Sequence, residues 1–170
     1  AELDIMGLEL EGVMLLGDAT TISGQVSWLD AEYGRFEDFR LDPSYPGYDP
    51  NVNHDHVPFS PEWTARIGIQ HVFSLGDAGN ITVGGDASYR DDTWLSVDNR
   101  DVLKQDAHTL VGLYAVWDSA DYRWQLRGGV RNLTDEVYKT DGQEFSSIGG
   151  IQTAYYGAPR NYYASLRYNF

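Results

Sequence analysis

Tyr162-Tyr163-Ala164-Ser165-Leu166-Arg167-Tyr168-Asn169-Phe170 alternates without a break. Tyr162, Ala164, Leu166, Tyr168 and Phe170 fall on one side of an extended strand. Tyr163, Ser165, Arg167 and Asn169 fall on the other. A period of two places successive side chains on opposite faces of a strand. One face here is apolar and the other polar, so the two faces meet unlike surroundings. Lipid on one side and a wet lumen on the other is one arrangement that demands this pattern. A soluble sheet with one buried face is another.

The same pattern recurs upstream, giving about seven alternating segments. Met6, Leu8 and Leu10 oppose Gly7, Glu9 and Glu11; Ile22, Gly24, Val26 and Trp28 oppose Ser23, Gln25 and Ser27. Trp63, Ala65, Ile67, Ile69 and Phe73 oppose Thr64, Arg66, Gly68 and Gln70. Ile81, Val83, Gly85, Ala87 and Tyr89 oppose Thr82, Gly84, Asp86, Ser88 and Arg90. Two further segments centre on Leu113 and Leu126, the second with Arg123, Gln125, Arg127 and Arg131 on its polar side. The connections alternate in length. Gly17–Thr20, Gly76–Gly79 and Asp118–Asp121 read as tight turns, while Gly34–Glu62, Asp91–Asp106 and Lys139–Arg160 are long. Short turns at one edge and long loops at the other predict an up-and-down transmembrane β-barrel. Aromatics near strand ends, among them Trp28, Tyr33, Trp63, Phe73, Tyr89, Trp117, Tyr122 and Tyr138, fit girdles at two interfaces.

Composition sets outer limits. The chain has 170 residues, a size for one ordinary domain, and aromatics reach 14% with 12 Tyr against 6 Phe. Mean hydropathy is -0.43, and no apolar run approaches the ~18 residues of a membrane helix. That leaves a barrel open, because its strands need only ~9–11 residues each. A net charge of -14 argues against a nucleic-acid partner, whose phosphates require basic patches. Cysteine is absent, which suits an oxidising envelope as well as chance. Ala1-Glu2-Leu3-Asp4 is not a leader peptide, so the chain reads as mature or as the tail of something longer.

Four short segments resemble TonB-dependent outer-membrane receptors of the siderophore type. Pro61-Glu62-Trp63-Thr64-Ala65 resembles the lead-in to a late barrel strand of that family. Val130-Arg131-Asn132-Leu133-Thr134-Asp135-Glu136-Val137-Tyr138 resembles its Val-x-Asn-Leu-Phe-Asp-x-x-Tyr segment, with Thr134 in place of the usual Phe. Gly157-Ala158-Pro159-Arg160 resembles the lead-in to its final strand, and Leu29-Asp30-Ala31-Glu32-Tyr33 also fits. The resemblance implies a 22-stranded barrel with an N-terminal plug and a motif that meets TonB. About seven strands cannot close so wide a barrel. Residues 1–170 are therefore expected to be its C-terminal part, with the plug absent.

The resemblance further implies a bacterial outer-membrane location and uptake of a scarce ligand, most often a ferric siderophore. Its implied partners are outer-membrane lipid and lipopolysaccharide, the TonB complex through the missing N-terminal part, the ferric chelate, and the barrel assembly machinery. The last would read Tyr162, Ala164, Leu166, Tyr168 and Phe170 as an assembly signal. No catalytic residue, cofactor or resident metal is implied. Two alternatives stand beside this reading: a small outer-membrane barrel enzyme, and a soluble β-sandwich binding module.

Half of the 12 basic residues fall on expected lumen faces: Arg66, Arg90, Arg123, Arg127, Arg131 and Arg167. Guanidinium groups there suit an anionic ligand or the acids of a plug, since they bind carboxylates bidentately. The first long loop is acidic and aromatic, with Glu37, Asp38, Phe39, Asp42, Tyr45, Tyr48, Asp49 and Asp55. Solvation explains it as well as ligand capture does. His54-Asp55-His56 offers two imidazoles but no clear third and fourth metal ligand. Asp86 and His108 have no nucleophile placed beside them by spacing. The sequons at Asn80 and Asn132 lie in or beside strands and are discounted.

Overall fold

The computed structural model describes residues 1–145 and 149–170. Seven strands form one antiparallel sheet: β1 (Glu2–Leu16), β2 (Thr20–Arg35), β3 (Trp63–Ser74), β4 (Asn80–Arg90), β7 (His108–Asp118), β8 (Trp124–Arg131) and β11 (Asn161–Tyr168). They pair in that order, so every strand lies beside its neighbour in the meander. Among the described residues β1 and β11 each pair on one side only, and the sheet is open between them.

The long connections are not bare loops. They hold a short pair, β5 (Thr93–Trp94) with β6 (Lys104–Gln105), and a hairpin, β9 (Lys139–Phe145) with β10 (Ile151–Tyr156). The strands also extend beyond the alternating segments read from sequence. β2 runs on to Arg35, because its register with β1 continues to Leu3↔Tyr33.

Register carries the alternation across the whole sheet. Glu11↔Gln25, Gln25↔Arg66, Arg66↔Ser88 and Ser88↔Leu110 make one cross-strand row, and the next row is apolar: Gly24↔Ile67, Ile67↔Ala87 and Ala87↔Val111. Directly opposed residues of an antiparallel pair share a face. One face thus carries Met6, Leu8, Ile22, Ile67, Ile69, Val83, Leu113, Leu126 and Leu166, as the sequence predicts. Two expected girdle residues lie elsewhere. Tyr33 shares the polar face by register and meets Phe36 edge-on, with ring centroids 5.0 Å apart. Tyr138 stacks on His108 at 4.9 Å.

The turns at the short edge depend on glycine where φ is positive. Gly79 sits at φ 93°, and a Cβ there would lie 1.9 Å from the Asp118 carbonyl oxygen. The same turn accepts a hydrogen bond from Trp117 Nε1 to the Ala78 carbonyl at 2.8 Å, which ties the turn to the end of β7 beside it. At the neighbouring turn Asn169 Nδ2 donates to the Tyr122 carbonyl at 3.0 Å, supporting Tyr122 at φ 54°.

At the other edge, two of the family-like segments form one clasp. Asn132 is 6% exposed and adopts φ 50°. Its Nδ2 donates to the carbonyls of Glu136 (2.8 Å) and Ala158 (3.1 Å), and its Oδ1 accepts from the Glu136 N–H (2.8 Å). Asp135, at φ 59°, accepts from the Arg160 N–H at 2.8 Å. The Gly157 N–H donates to the Tyr138 carbonyl, and a Cβ at Gly157 would stand 2.0 Å from the Tyr138 ring. The clasp explains the spacing. Asn and Asp tolerate the left-handed region and bond their own backbone, and only glycine fits beneath the tyrosine. Thr134 is exposed, so its departure from Phe leaves these bonds intact.

Asn132→Ala strands buried partners on three hydrogen bonds and should destabilise the protein by on the order of 2 kcal/mol or more. Thr134→Ala should be close to neutral. Urea titration of the folded protein measures both, and equal midpoints for the two variants would mean that the clasp carries no stability.

Candidate functional site

The polar face collects five of the six sequence-predicted arginines. Arg66, Arg90, Arg127, Arg131 and Arg167 all occupy polar-face registers of β3, β4, β8 and β11. Arg123 precedes β8 in the short turn, with its Nε 3.9 Å from Asp121. The arginines differ in what they meet. Arg66 is paired with Asp86 at 3.2 Å. Arg167 Nε donates to Asn169 Oδ1 at 3.1 Å. Arg90 stands opposite His108. Arg127 and Arg131 have no carboxylate within ion-pair distance among the described residues. Tyrosine rings hold them instead: Arg127 lies 5.6 Å from Tyr114 and 5.8 Å from Tyr163, and Arg131 lies 5.0 Å from Tyr163.

The ring positions follow from one row of the sheet. Gln70↔Gly84, Gly84↔Tyr114, Tyr114↔Gly129 and Gly129↔Tyr163 run straight across five strands. Each tyrosine fills the space that a side chain on the glycine beside it would need. A Cβ at Gly84 would stand 2.5 Å from the Tyr114 ring, and one at Gly129 would stand 2.8 Å from that of Tyr163. Tyr114 Oη then reaches across to donate to Gln70 Oε1 at 2.8 Å. Guanidinium groups stack on such rings through cation–π attraction, which leaves their in-plane N–H groups available.

Above this face the long loops build their own packed cap. The buried apolar side chains of the described residues, Val52, Leu95 and Leu103, all lie in it. Arg40 ties two loops, donating to Asp38 Oδ2 at 2.6 Å and to Asp98 Oδ1 at 2.7 Å. Arg100 Nη2 donates to Asp49 Oδ2 at 2.5 Å, and its Nε lies 3.8 Å from Glu144 of the β9–β10 hairpin. The Arg40 guanidinium holds the Asp38 carboxyl well below the usual carboxylate range, despite partial burial, and His54 adds to the effect. Arg100 holds Asp49 at about 2. For a lowered carboxylate the stabilisation is complete above its unfolded value and fades as pH falls through the folded one. The Asp49 clamp is therefore intact above pH 3.8 and is lost towards pH 2.

Asp38, His54 and Asp98 bring three metal-ligating groups within 4.8 Å of one another. Arg40 already spans both carboxylates, and His54 Nε2 is 2.9 Å from Asp38, so a metal ion would have to displace a guanidinium. The His54-Asp55-His56 pair does not converge. His54 stacks on Phe36 at 3.8 Å, whereas His56 stacks on Trp94 at 3.9 Å. Of the first-loop acids that solvation accounted for in sequence, Asp49 is thus ion-paired across loops to Arg100 and Asp38 within its own loop to Arg40. Alternation marks the wall arginines and puts Tyr163 on their face, but it marks no role for Tyr114, Tyr163, Arg40 or Arg100. The tyrosines carry a readable signal only once register sets each beside a glycine. The loop arginines carry none, because their partners are distant in sequence.

The family description "TonB dependent receptor-like, beta-barrel" matches residues 1–133. No curated protein matches the chain in sequence. Among solved structures, the ferric yersiniabactin uptake receptor FyuA from Yersinia pestis aligns over 99% of this chain and 24% of its own, with a TM-score of 0.79 and 19% identity. The siderophore receptor PiuA from Acinetobacter baumannii aligns over 98% of this chain and 22% of its own (TM-score 0.72, 18% identity). The ferric preacinetobactin receptor BauA from the same organism aligns over 99% and 22% (TM-score 0.72, 19% identity). The chain thus spans about a quarter of the length of the receptors it matches. With a family match over most of its residues and a seven-stranded meander that forms part of a barrel, the chain belongs to the TonB-dependent receptor family.

Proposed function

We propose that residues 1–170 form the C-terminal barrel wall of an outer-membrane receptor that takes up a ferric siderophore with energy delivered through TonB. The observation that carries this reading is the exposed apolar face. Leu8 is 71% exposed, Ile67 58% and Leu166 65%, and the strand registers put all three on the same face of the sheet. A soluble sandwich would cover this face with a second sheet. Among the described residues none does, and so large an apolar patch marks contact with lipid or protein. A sandwich module is accordingly disfavoured. A barrel enzyme would need a nucleophile beside a base, and Asp86 is instead engaged with Arg66.

The dimensions agree. Trp63 and Phe73 bound the apolar register of β3, ten positions apart. That is about 33 Å along a strand at roughly 3.3 Å per residue. A strand tilted by roughly 40° reduces it to about 25 Å along the membrane normal, the height of a barrel's apolar band. In this reading the short turns face the periplasm and the ion-paired cap faces outwards. The plug and the TonB-binding motif belong to a part of the receptor outside these residues. The similarity to siderophore receptors supports a ferric chelate as cargo, and the arginine-bearing face supports a wet lumen.

β11 supplies the strand that the barrel assembly machinery reads. Its aromatics cluster at the short-turn edge, with Trp124 and Tyr168 rings 4.6 Å apart and Tyr168 and Phe170 rings 5.0 Å apart. Asn169 is not the neutral neighbour that its polar register suggests, because it also holds the Tyr122 turn.

Cysteine labelling tests the two faces. In the intact receptor in membranes, Arg127→Cys should react with a water-soluble maleimide and Leu126→Cys should be protected; equal labelling would overturn the barrel reading. Leu113→Arg, mid-strand on the apolar face, should cost about 2–4 kcal/mol of folded stability. Deletion of Phe170 should lower the folded fraction seen as heat-modifiable mobility on gels, and unchanged yield would remove the assembly role while leaving the wall intact.

A further inference from the structure

A depression of about 400 Å³ lies on the polar face, bounded by Arg66, Asp86, Ser88, Gly112, Arg131 and Tyr138. Its size falls within the range of small-molecule sites, roughly 300–1,000 Å³. Its two cations are not equivalent. Arg66 is already paired with Asp86 at 3.2 Å. Arg131 has no carboxylate partner among the described residues and lies over the Tyr163 ring at 5.0 Å. Four residues back along β8, Arg127 lies near both Tyr114 and Tyr163. Gly129 separates the two arginines and lets the Tyr163 ring lie between them against the wall. The wall therefore presents an Arg–Tyr–Arg ladder in which each guanidinium lies beside a tyrosine ring and has no acid within ion-pair distance among the described residues.

That geometry suits one chemistry. A fixed guanidinium edge binds a carboxylate through two parallel N–H···O bonds, and it does so more selectively than a free lysine. At the lip of the depression Tyr138, itself stacked on His108, offers a ring on which a second aromatic ring can stack. The acid-rich loops above disfavour a ligand of high negative charge.

We propose that this depression binds an aromatic carboxylate group on a ligand of low net charge. Arg131 takes the carboxylate, and Tyr163 positions Arg131. The proposal rests on the polar face lining an accessible lumen, and it deepens the uptake reading by naming the group that the wall recognises.

The test uses the intact receptor in detergent and 2-naphthoate as a fluorescent probe, with 2-naphthamide and cyclohexanecarboxylate as competitors. Saturable naphthoate binding is expected, with both competitors at least about tenfold weaker, because each lacks one half of the recognition. Arg131→Gln should weaken naphthoate about tenfold or more, and Tyr163→Ala should do the same while Tyr163→Phe, which keeps the ring, should not. Arg35→Gln, an exposed arginine at the end of β2 paired with Glu37 and outside the depression, should leave binding unchanged. The site is overturned if naphthoate shows no saturable binding, if the three compounds bind alike, or if Arg131→Gln binds as wild type does. The comparison of the three compounds needs no variant, so a variant that fails to fold leaves the test decisive. Labelling of Arg127→Cys and Leu126→Cys is read separately: its failure removes the lumen itself, whereas loss of naphthoate selectivity removes only this site.

Discussion

Everything in this sheet depends on register. A strand's side chains repeat every two residues, so a slip of one position would carry each leucine to the arginine face and each arginine among the leucines. Seven strands hold that alignment in common, and the turns at the short edge set it. Gly79 can occupy its turn only because it has no Cβ, and the Trp117–Ala78 hydrogen bond ties this turn to the strand beside it. The consequence is a wall with two chemistries and no interior of its own. Its side chains are covered by whatever lies on either side.

The packed interior is displaced to one edge. Val52, Leu95 and Leu103 lie among residues that join strands, and Arg40 and Arg100 bind those residues to one another. A partly buried arginine between two aspartates is stable because each charge finds its opposite with good hydrogen-bond geometry; removing one partner would leave the others unmatched in a drier setting. The cap is thus held by polar groups as much as by apolar burial.

Most of the sheet was legible in the sequence and most of the cap was not. Alternation is local, so Trp63 to Phe73 or Tyr162 to Phe170 could be assigned to faces without knowing their neighbours. Turn length supplied the order of the strands. The polar-face arginines followed from the same count. What resisted reading depends on residues far apart in the chain: Arg40 with Asp98, Arg100 with Asp49, and Gly129 beneath Tyr163. No periodicity announces such pairs. The two family-like segments around Asn132 and Gly157 were visible as separate motifs. That they bond to each other became evident only in three dimensions.

The Asn132–Gly157 clasp makes the hairpin between Lys139 and Tyr156 modular. The backbone enters and leaves it through one closed ring of hydrogen bonds, so the separation of β8 and β11 is set below the hairpin rather than by it. Length changes in the hairpin are absorbed above the clasp and do not reach the barrel register. A hairpin grafted between these two points would inherit a ready-made mount at its base, and would still have to rebuild the seat in the cap, where Glu144 faces Arg100 and Gly142 lies against Leu95 and Leu103.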